Sequence, residues 1–267
     1  MSFTVIAERI NMTRKRIREE VWKRNSRFIC SEALKQAEAG ATHIDLNAGG
    51  DPSKEVEDMA WLTEVAAGAV ELPLVFDSAN PGALEEGLKR CNRKGTIINS
   101  ITAEKERMEK VLPLVIKYNT GVICLTMDGR GMPESYERRM EITETLVDMA
   151  GAHDISLERI YFDHVVSSVA TSPEQGRFIL RAVSETKQRF PEAHIALGLS
   201  NVSFGFPARN NLNRVFLAML LAGGCDGAIM DPCEPGMMTA IASSRVILGM
   251  DEFGVEYISA YREGKLG

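Results

Sequence analysis

Short apolar runs alternate with amphipathic segments along the whole chain. Eight runs of mainly β-branched or apolar residues are candidate strands, namely TVIAERIN from Thr4, HIDLNAGG from His43, LPLVFDSAN from Leu72, GTIINSI from Gly95, GVICLTMD from Gly121, RIYFDHVV from Arg159, HIALGLSNV from His194 and DGAIMDP from Asp226. Continuous apolar runs of this length are typical of strands buried on both faces, which indicates a parallel sheet.

The segments between these runs have helical periodicity. In AEKERMEKVLPLVIKY, apolar residues recur at i, i+3, i+4, i+7 and i+8 from Met108, and Pro113 lies inside this stripe, where it is expected to kink the helix. Helix starts are predicted where a capping side chain precedes a proline, at Asp51, Asn80 and Ser172. The alternation of strands and helices predicts an α/β fold, a (β/α)8 TIM barrel.

A doubly wound open sheet is the competing arrangement. Such a sheet usually has fewer strands, and no GxGxxG motif follows the first apolar run. The barrel is therefore favoured over a dinucleotide-binding fold. No Ser/Gly/Pro-rich linker or change of composition divides the 267 residues, so a single domain over residues 1–267 is predicted.

Composition and charge exclude several classes of protein. Hydrophobic residues make up 45% and charged residues 25% of the chain, which is ordinary for a soluble globular domain. The net charge of -6 argues against nucleic-acid binding, because phosphate recognition needs a basic surface. We see no signal peptide and no apolar run long enough for a bilayer, so we expect a cytoplasmic protein without membrane contact.

Cysteine and histidine offer no metal chemistry. The cysteines are odd in number and widely spaced, without a CxxC motif, and are interpreted as reduced thiols: Cys30, Cys91, Cys124, Cys225 and Cys233. The four histidines lack zinc-binding spacing such as HExxH. We therefore expect no metal site.

Polar residues follow all of the apolar runs, where the carboxyl ends of barrel strands would meet. They are Glu8, Arg9, Asn11, Asp45, Asn47, Asp77, Ser78, Asn80, Asn99, Ser100, Thr126, Asp128, Asp163, His164, Ser200, Asn201, Ser203 and Asp231. Each alone is explained most simply as a helix cap, and for Asn80 we expect only that role. Their recurrence after every run predicts one shared site at the rim.

The residue types at this rim favour a flat, nitrogen-rich ligand. No lysine ends a strand, which argues against a Schiff-base aldolase, and no Gly-rich nest follows the last two strands, which argues against a sugar phosphate. No Ser/His/Asp or Cys/His nucleophile set is visible. Asparagine and aspartate suit a heterocycle with amide, amine and ring nitrogens, and Asp77 or Asp163 could accept two N–H donors from an aminopyrimidine.

The rim motifs, taken in order, resemble a known family. AERIN, DLNAGGD, VFDSAN, IINSI, LTMD, YFDHVV, LGLSNVSFG and IMDPCEP look like the motifs of methyltetrahydrofolate:corrinoid-protein methyltransferases, in the pterin-binding TIM-barrel superfamily. The resemblance covers nearly the whole chain. Its most specific part is GLSNVSFG, followed by Arg209 and the helix start NRVF.

The resemblance implies methyl transfer between N5 of tetrahydrofolate and the cobalt of a corrinoid (cobalamin) held by a partner corrinoid protein. It also implies a homodimer. By the same resemblance, Asp77, Asn99 and Asp163 would hold the pterin ring, and Arg209 would lie at the mouth of the site. The implied folate-binding set also includes Glu8, Asn11, Asp45, Asn47 and Ser200.

Asn201 would be the catalytic residue in this interpretation. A tertiary amine nitrogen is a poor leaving group, so departure of the methyl group needs a proton or a strong hydrogen bond at N5. The Asn201 amide cannot supply a proton, but it can accept from protonated N5 or donate to its lone pair. Loss of this hydrogen bond is expected to cost about 2–4 kcal/mol in the transition state.

Two alternatives stay open at this stage. A dihydropteroate synthase would share the fold and the pterin pocket, but it would need an arginine-bearing loop after strand two and a Ser-Arg-Lys-type sequence near strand seven; here these places are DLNAGGDPSKE and LGLSNVSFG. A non-catalytic folate-binding subunit is the other alternative. The direction of transfer is open: the methyl group would leave the folate in acetyl-CoA synthesis and would reach it in anaerobic O- or N-demethylation. The Gly-rich loop MDGRGMPES with Arg130 could be a lid, a partner contact or a mobile surface loop.

Overall fold

A computed structural model describes residues 3–266. Its strands are β1 (Thr4–Asn11), β2 (His43–Asn47), β3 (Leu74–Asp77), β4 (Ile97–Ile101), β5 (Gly121–Leu125), β6 (Ile160–Asp163), β7 (His194–Gly198) and β8 (Gly227–Met230). Its α-helices are α1 (Lys15–Trp22), α2 (Ser26–Glu38), α3 (Glu55–Ala69), α4 (Pro81–Arg90), α5 (Lys105–Lys117), α6 (Tyr136–Ala152), α7 (Gln175–Arg189), α8 (Arg209–Ala222), α9 (Met237–Ile247) and α10 (Val255–Arg262).

The strands form a closed parallel barrel in chain order, and β1 pairs with both β2 and β8. This confirms the (β/α)8 barrel and excludes the open doubly wound sheet. Closure leaves the barrel without an edge strand, so the strands complete one another's backbone hydrogen bonds. None of the helices within residues 3–266 is long and apolar enough to cross a membrane.

The apolar core has an inner and an outer part. Inside the barrel, five side chains from alternate positions pack together, namely those of Ile6, Val75, Ile97, Ile123 and Ala196. Outside it, the opposite strand faces pack against the helices in two larger clusters. Strands buried on both faces need apolar residues at successive positions, which explains the uninterrupted runs in the sequence.

Helix α5 confirms the predicted apolar stripe in its centre. Val111, Leu112 and Val115 are buried against the barrel. Ile116, at the edge of the stripe, remains 49% exposed. Pro113 lies within the helix, which continues to Lys117.

Only one of the three predicted Pro-marked helix starts is correct. Asn80 caps α4, and its side-chain oxygen accepts a 2.9 Å hydrogen bond from the Gly82 amide. The starts at Asp51 and Ser172 are wrong, because α3 begins at Glu55 and α7 at Gln175. Asp51 instead closes a short turn by accepting from Ser53, since Asx turns use the same side-chain geometry as helix caps.

Two glycines in helices allow the effect of side-chain packing to be distinguished from the effect of helix propensity. A Cβ added at Gly87 in α4 would lie 2.6 Å from two ring carbons of Phe76, whereas one added at Gly68 in α3 would meet nothing within 4 Å. We expect Gly87→Ala to destabilise the fold by about 1–3 kcal/mol through overpacking. Gly68→Ala should instead stabilise it by up to about 1 kcal/mol. Chemical denaturation of both variants tests this, and equal effects would contradict it.

Candidate active site

The carboxyl end of the barrel carries a layer of polar side chains above the apolar interior. Asp77 and Asn99 each lie two residues after an inward-facing residue, Val75 and Ile97. Because side chains two residues apart lie on the same face of a strand, Asp77 and Asn99 also point into the barrel. The strand register places Asn47 beside Asp77, and Asp77 beside Asn99. Three predicted site residues are therefore neighbours on adjacent strands.

Three hydrogen bonds connect the residues on this side of the mouth. The Asn47 side-chain amide donates to Asp77 Oδ2 at 2.8 Å, while Asn47 Oδ1 accepts from the Gly49 amide at 2.9 Å. One layer deeper, Asn99 Nδ2 donates to Asp45 Oδ1 at 3.5 Å. Asn47 and Asp45 thus orient Asp77 and Asn99, and they leave Asp77 Oδ1 and Asn99 Oδ1 for a ligand.

Burial holds a proton more tightly on the carboxyl groups of this side. The pKa of Asp45 is raised well above its ordinary value, first by burial and then by the charge of Asp77. The pKa of Asp77 is also raised by burial, against the hydrogen bond from Asn47 and the charge of Arg107. A desolvated carboxylate gains from hydrogen-bond donors, and here a ligand would supply them.

Asp163 forms the other side of the mouth, at the end of β6. Its Oδ1 accepts from the Val165 amide at 2.7 Å and its Oδ2 from the Gly198 amide at 3.0 Å. Burial raises its pKa to about 6, although these two hydrogen bonds and Arg139 oppose the shift. Its orientation is fixed by backbone donors, and each oxygen keeps a further lone pair for a ligand.

Asn201 and Asp163 both approach Gly198. It belongs to a short 3-10 helix, Leu199–Ser203, that follows β7, and it is exposed. A Cβ added at Gly198 would lie 3.7 Å from both Asn201 Nδ2 and Asp163 Oδ2. A methyl group at this position would be in ordinary van der Waals contact with both, so one carboxylate and one amide approach the same point next to Gly198.

Arg209 braces the 3-10 helix rather than projecting freely. Its Nε donates to Ser203 Oγ at 3.0 Å and its Nη2 to the Ser200 carbonyl oxygen at 2.5 Å. Ser203 Oγ in turn donates to Asn213 Oδ1 of α8 at 2.7 Å. The predicted residues Ser200 and Arg209 thus hold the segment that carries Asn201.

Glu8 and Asn11 come from β1. Glu8 pairs with Arg14 at 3.5 Å, and burial, opposed by Arg14, raises its pKa to about 7. The charges of Asp231, Glu234 and Arg209 also act on it. Asn11 Oδ1 accepts from the Thr13 amide at 2.9 Å and hydroxyl at 2.6 Å, so it shapes the loop after β1.

Two arginines near the rim were not predicted from the sequence. Arg107 of α5 donates to the carbonyl oxygens of Ser78, Ala79 and Ser100, which ties the loop after β3 to the end of β4. Arg139 of α6 is 1% exposed and donates to the carbonyl oxygens of His164 and Val165, which follow β6. Only Arg139 could have been found from the sequence pattern, because it lies on the buried face of an amphipathic helix, where a cation needs hydrogen-bond or charge partners.

The closed barrel, with aspartate and asparagine side chains gathered at the carboxyl ends of its strands, defines the class of this protein as a TIM-barrel enzyme. Among residues 3–266, no cluster of His, Cys, Asp or Glu side chains is arranged to hold a metal ion.

The chain belongs to the family of pterin-binding enzymes, whose model matches residues 7–231. It is 33% identical, over 98% of its length and 97% of the other protein, to the methylcorrinoid:tetrahydrofolate methyltransferase of Eubacterium limosum. It is 31% identical over 94% of its length, but only 22% of the other protein, to methionine synthase of Mycobacterium tuberculosis. The 7,8-dihydropteroate synthase of Vibrio fischeri shares the fold, with a TM-score of 0.71 at 14% identity over 92% of this chain and 93% of that one.

The raised pKa of Glu8 predicts a pH-dependent loss of stability. The pKa of Glu8 is about 7 in the folded protein, whereas its ordinary value is 4.5. The free energy of unfolding therefore falls as the pH rises from 4.5 to 7. Glu8→Gln should therefore increase the unfolding free energy at pH 8 by about 1–3 kcal/mol and change it little at pH 4. Urea denaturation at both pH values measures this.

The matched control for this comparison is Glu71→Gln, because the Glu71 side chain is 98% exposed. It should change neither value. A Glu8→Gln variant with equal effects at pH 4 and pH 8 would contradict the prediction.

Proposed function

We propose that the protein transfers a methyl group between a methylated corrinoid and N5 of tetrahydrofolate. The observation that carries this proposal is the likeness, along nearly the full length of both chains, to the Eubacterium limosum methyltransferase. The barrel mouth supplies the matching chemistry, with buried carboxylates for a pterin ring and an exposed amide beside them. The whole chain acts as one domain in this proposal.

The pterin ring is bound between the two sides of the mouth. The free lone pairs of Asp163 and Asp77 accept from the amino group and ring N–H of the aminopyrimidine, and Asn99 Oδ1 accepts a further N–H. The approach of Asp163 and Asn201 to the same position supports this placement, since a Cβ at Gly198 would stand 3.7 Å from Asp163 Oδ2 and from Asn201 Nδ2. Glu8, Asp45 and Asn47 shape and orient the floor.

Asn201 acts at N5. Its amide donates to the N5 lone pair or accepts from the N5 proton, and it stabilises the charge that changes there during transfer. The brace from Arg209 and Ser203 fixes the segment around it, so little reorganisation is needed when the charge develops. Asn201 stabilises the transition state and does not supply a proton.

The direction we propose runs from the corrinoid to the folate, as the name of the Eubacterium limosum relative reads. The corrinoid of a partner protein supplies an electrophilic methyl group on cobalt. N5 attacks that carbon, a C–N bond forms, and the carbon–cobalt bond breaks with its electron pair left on the metal. The N5 proton then passes to solvent. In this proposal the reaction is part of anaerobic demethylation in the cytoplasm.

The loop after β5 is a candidate contact for the corrinoid protein. Asp128 accepts from the Arg130 amide at 3.0 Å and pairs with Arg138 of α6. A bridge between Asp128 and Gly131 closes the turn, and the Arg130 side chain is 73% exposed. A loop fixed at its base that presents an arginine suits a partner contact better than a mobile lid.

Substitution of Asn201 tests the proposed function. With 5-methyltetrahydrofolate and cobalt(I) cobalamin, the wild-type protein should consume the cobalt(I) absorbance, because the reaction is reversible. Asn201→Ala should slow this step about 30- to 1000-fold at saturating folate, the equivalent of about 2–4 kcal/mol. Asn210→Ala is the control, since Asn210 is exposed in the first turn of α8.

Three outcomes would contradict the proposal. Tight folate binding without transfer, even with corrinoid proteins supplied, would indicate a folate-binding subunit. Condensation of a pterin diphosphate with p-aminobenzoate would indicate a dihydropteroate synthase. Transfer that is unchanged in Asn201→Ala would remove the catalytic role of that residue.

We also propose that the protein is a homodimer formed through α8. Leu212, Val215 and Met219 are 38%, 61% and 49% exposed and lie on one face of this helix. An exposed apolar stripe of this kind is typical of a protein interface. Val215→Asp should therefore shift the mass measured by light scattering from dimer to monomer, whereas Arg214→Asp should not; a monomeric wild-type protein would contradict the proposal.

A further inference from the structure

Arg139 is a buried cation placed directly behind the proposed folate site. Its Nη1 donates to the carbonyl oxygen of His164 and, at 3.5 Å, to that of Val165. Its Nη2 donates to the Pro133 carbonyl oxygen at 3.3 Å and to Gln175 Oε1 at 2.8 Å. One guanidinium thus joins the loops after β5 and β6 to the start of α7.

The turn that Arg139 holds is strained. Val165 has a φ of +51°, a left-handed conformation that β-branched residues rarely adopt. In this conformation its amide points back and donates to Asp163 Oδ1 at 2.7 Å. Residues in such conformations persist only where their surroundings enforce them, and here the two enforcing groups are Arg139 and the Asp163 carboxylate.

Arg139 is also the one charged group among residues 3–266 whose charge lowers the pKa of Asp163, and this effect is smaller than those of burial and of the two backbone hydrogen bonds. His164 follows Asp163 in the chain, but burial lowers its pKa to about 3, so it is neutral. Burial raises the pKa of the nearby Cys225 thiol to about 12, so it is neutral as well. The positive charge of Arg139 opposes the effect of burial on the pKa of Asp163.

We propose that Arg139 is a positioning residue for folate binding: it holds the turn from Asp163 to Val165 and keeps the Asp163 carboxylate ionised and aimed into the barrel mouth. The inference rests on the proposed function, because it needs Asp163 to bind the pterin. Arg139 itself touches neither substrate nor the reacting atoms. Arg139 contributes to folate binding through its charge and through the turn that it holds. Only the effect of its charge depends on pH, because it acts on the ionisation of Asp163.

The test measures the Kd of tetrahydrofolate by anaerobic calorimetry at pH 6 and pH 8. A protonated Asp163 loses an acceptor, so a weaker positive field should weaken binding more at pH 6 than at pH 8. In Arg139→Met we expect the ratio of Kd at pH 6 to Kd at pH 8 to rise about fivefold over wild type. Arg139→Lys keeps the charge and should restore the ratio to within about twofold.

A second variant covers the case in which Arg139→Met fails to fold. Gln175→Glu keeps the arginine and nearly the same side-chain shape, but places a carboxylate against the guanidinium and offsets its charge. It should raise the ratio in the same direction. The control is Arg159→Met, because Arg159 precedes the same strand at its other end and donates to the carbonyl oxygens of Val115 and Thr120 at 2.8 Å.

Arg159→Met should lower the melting temperature without changing the ratio. The inference is overturned if folded Arg139→Met and Gln175→Glu keep the wild-type ratio, or if binding weakens equally at both pH values. Absence of tetrahydrofolate binding by the wild-type protein is a different result, since it overturns the proposed function itself.

Discussion

Closure of the parallel barrel is the constraint on which the rest of the structure depends. Because all strands run the same way, the last inward-facing position of each one reaches the same ring around the axis. Below this ring, side chains such as Ile6 and Ile123 fill the interior. At the ring, Asp77, Asn99 and Asp163 take the place of the apolar side chains of the layer below, and Asn99 and Asp163 are only 9% and 6% exposed.

Desolvation makes this ring unfavourable for the protein alone. Burial raises the pKa of Glu8 to about 7 and that of Asp163 to about 6, and it raises those of Asp45 and Asp77. Packing would be better served by apolar residues at these positions. In the proposed complex a ligand brings N–H donors, and the same groups that weaken the free protein would then give it affinity for an aminopyrimidine.

The sequence predicts the parts of the site that follow from strand geometry. Asp77, Asn99 and Asp163 end apolar runs, and a strand period of two with a closed sheet is enough to bring them together. The helix starts at Asp51 and Ser172 were wrong because the same residue types close turns without starting a helix. Arg107 and Arg139 could not be placed, because each reaches its partners by tertiary packing, and Arg139 contacts residues about 25 positions further along the chain.

Asp163 and Asn201, which both approach Gly198, differ in exposure, and the proposed reaction explains this difference. Asp163 is buried and held by backbone amides, which suits a group that fixes one edge of a ring throughout the reaction. Asn201 is exposed on a short 3-10 helix, which suits its proposed role, because the methyl group must pass between N5 and a corrinoid held by another protein. A buried Asn201 would be better oriented but closed to that partner. The brace from Arg209 and Ser203 resolves this conflict, since it fixes the segment from behind and leaves its outer face open.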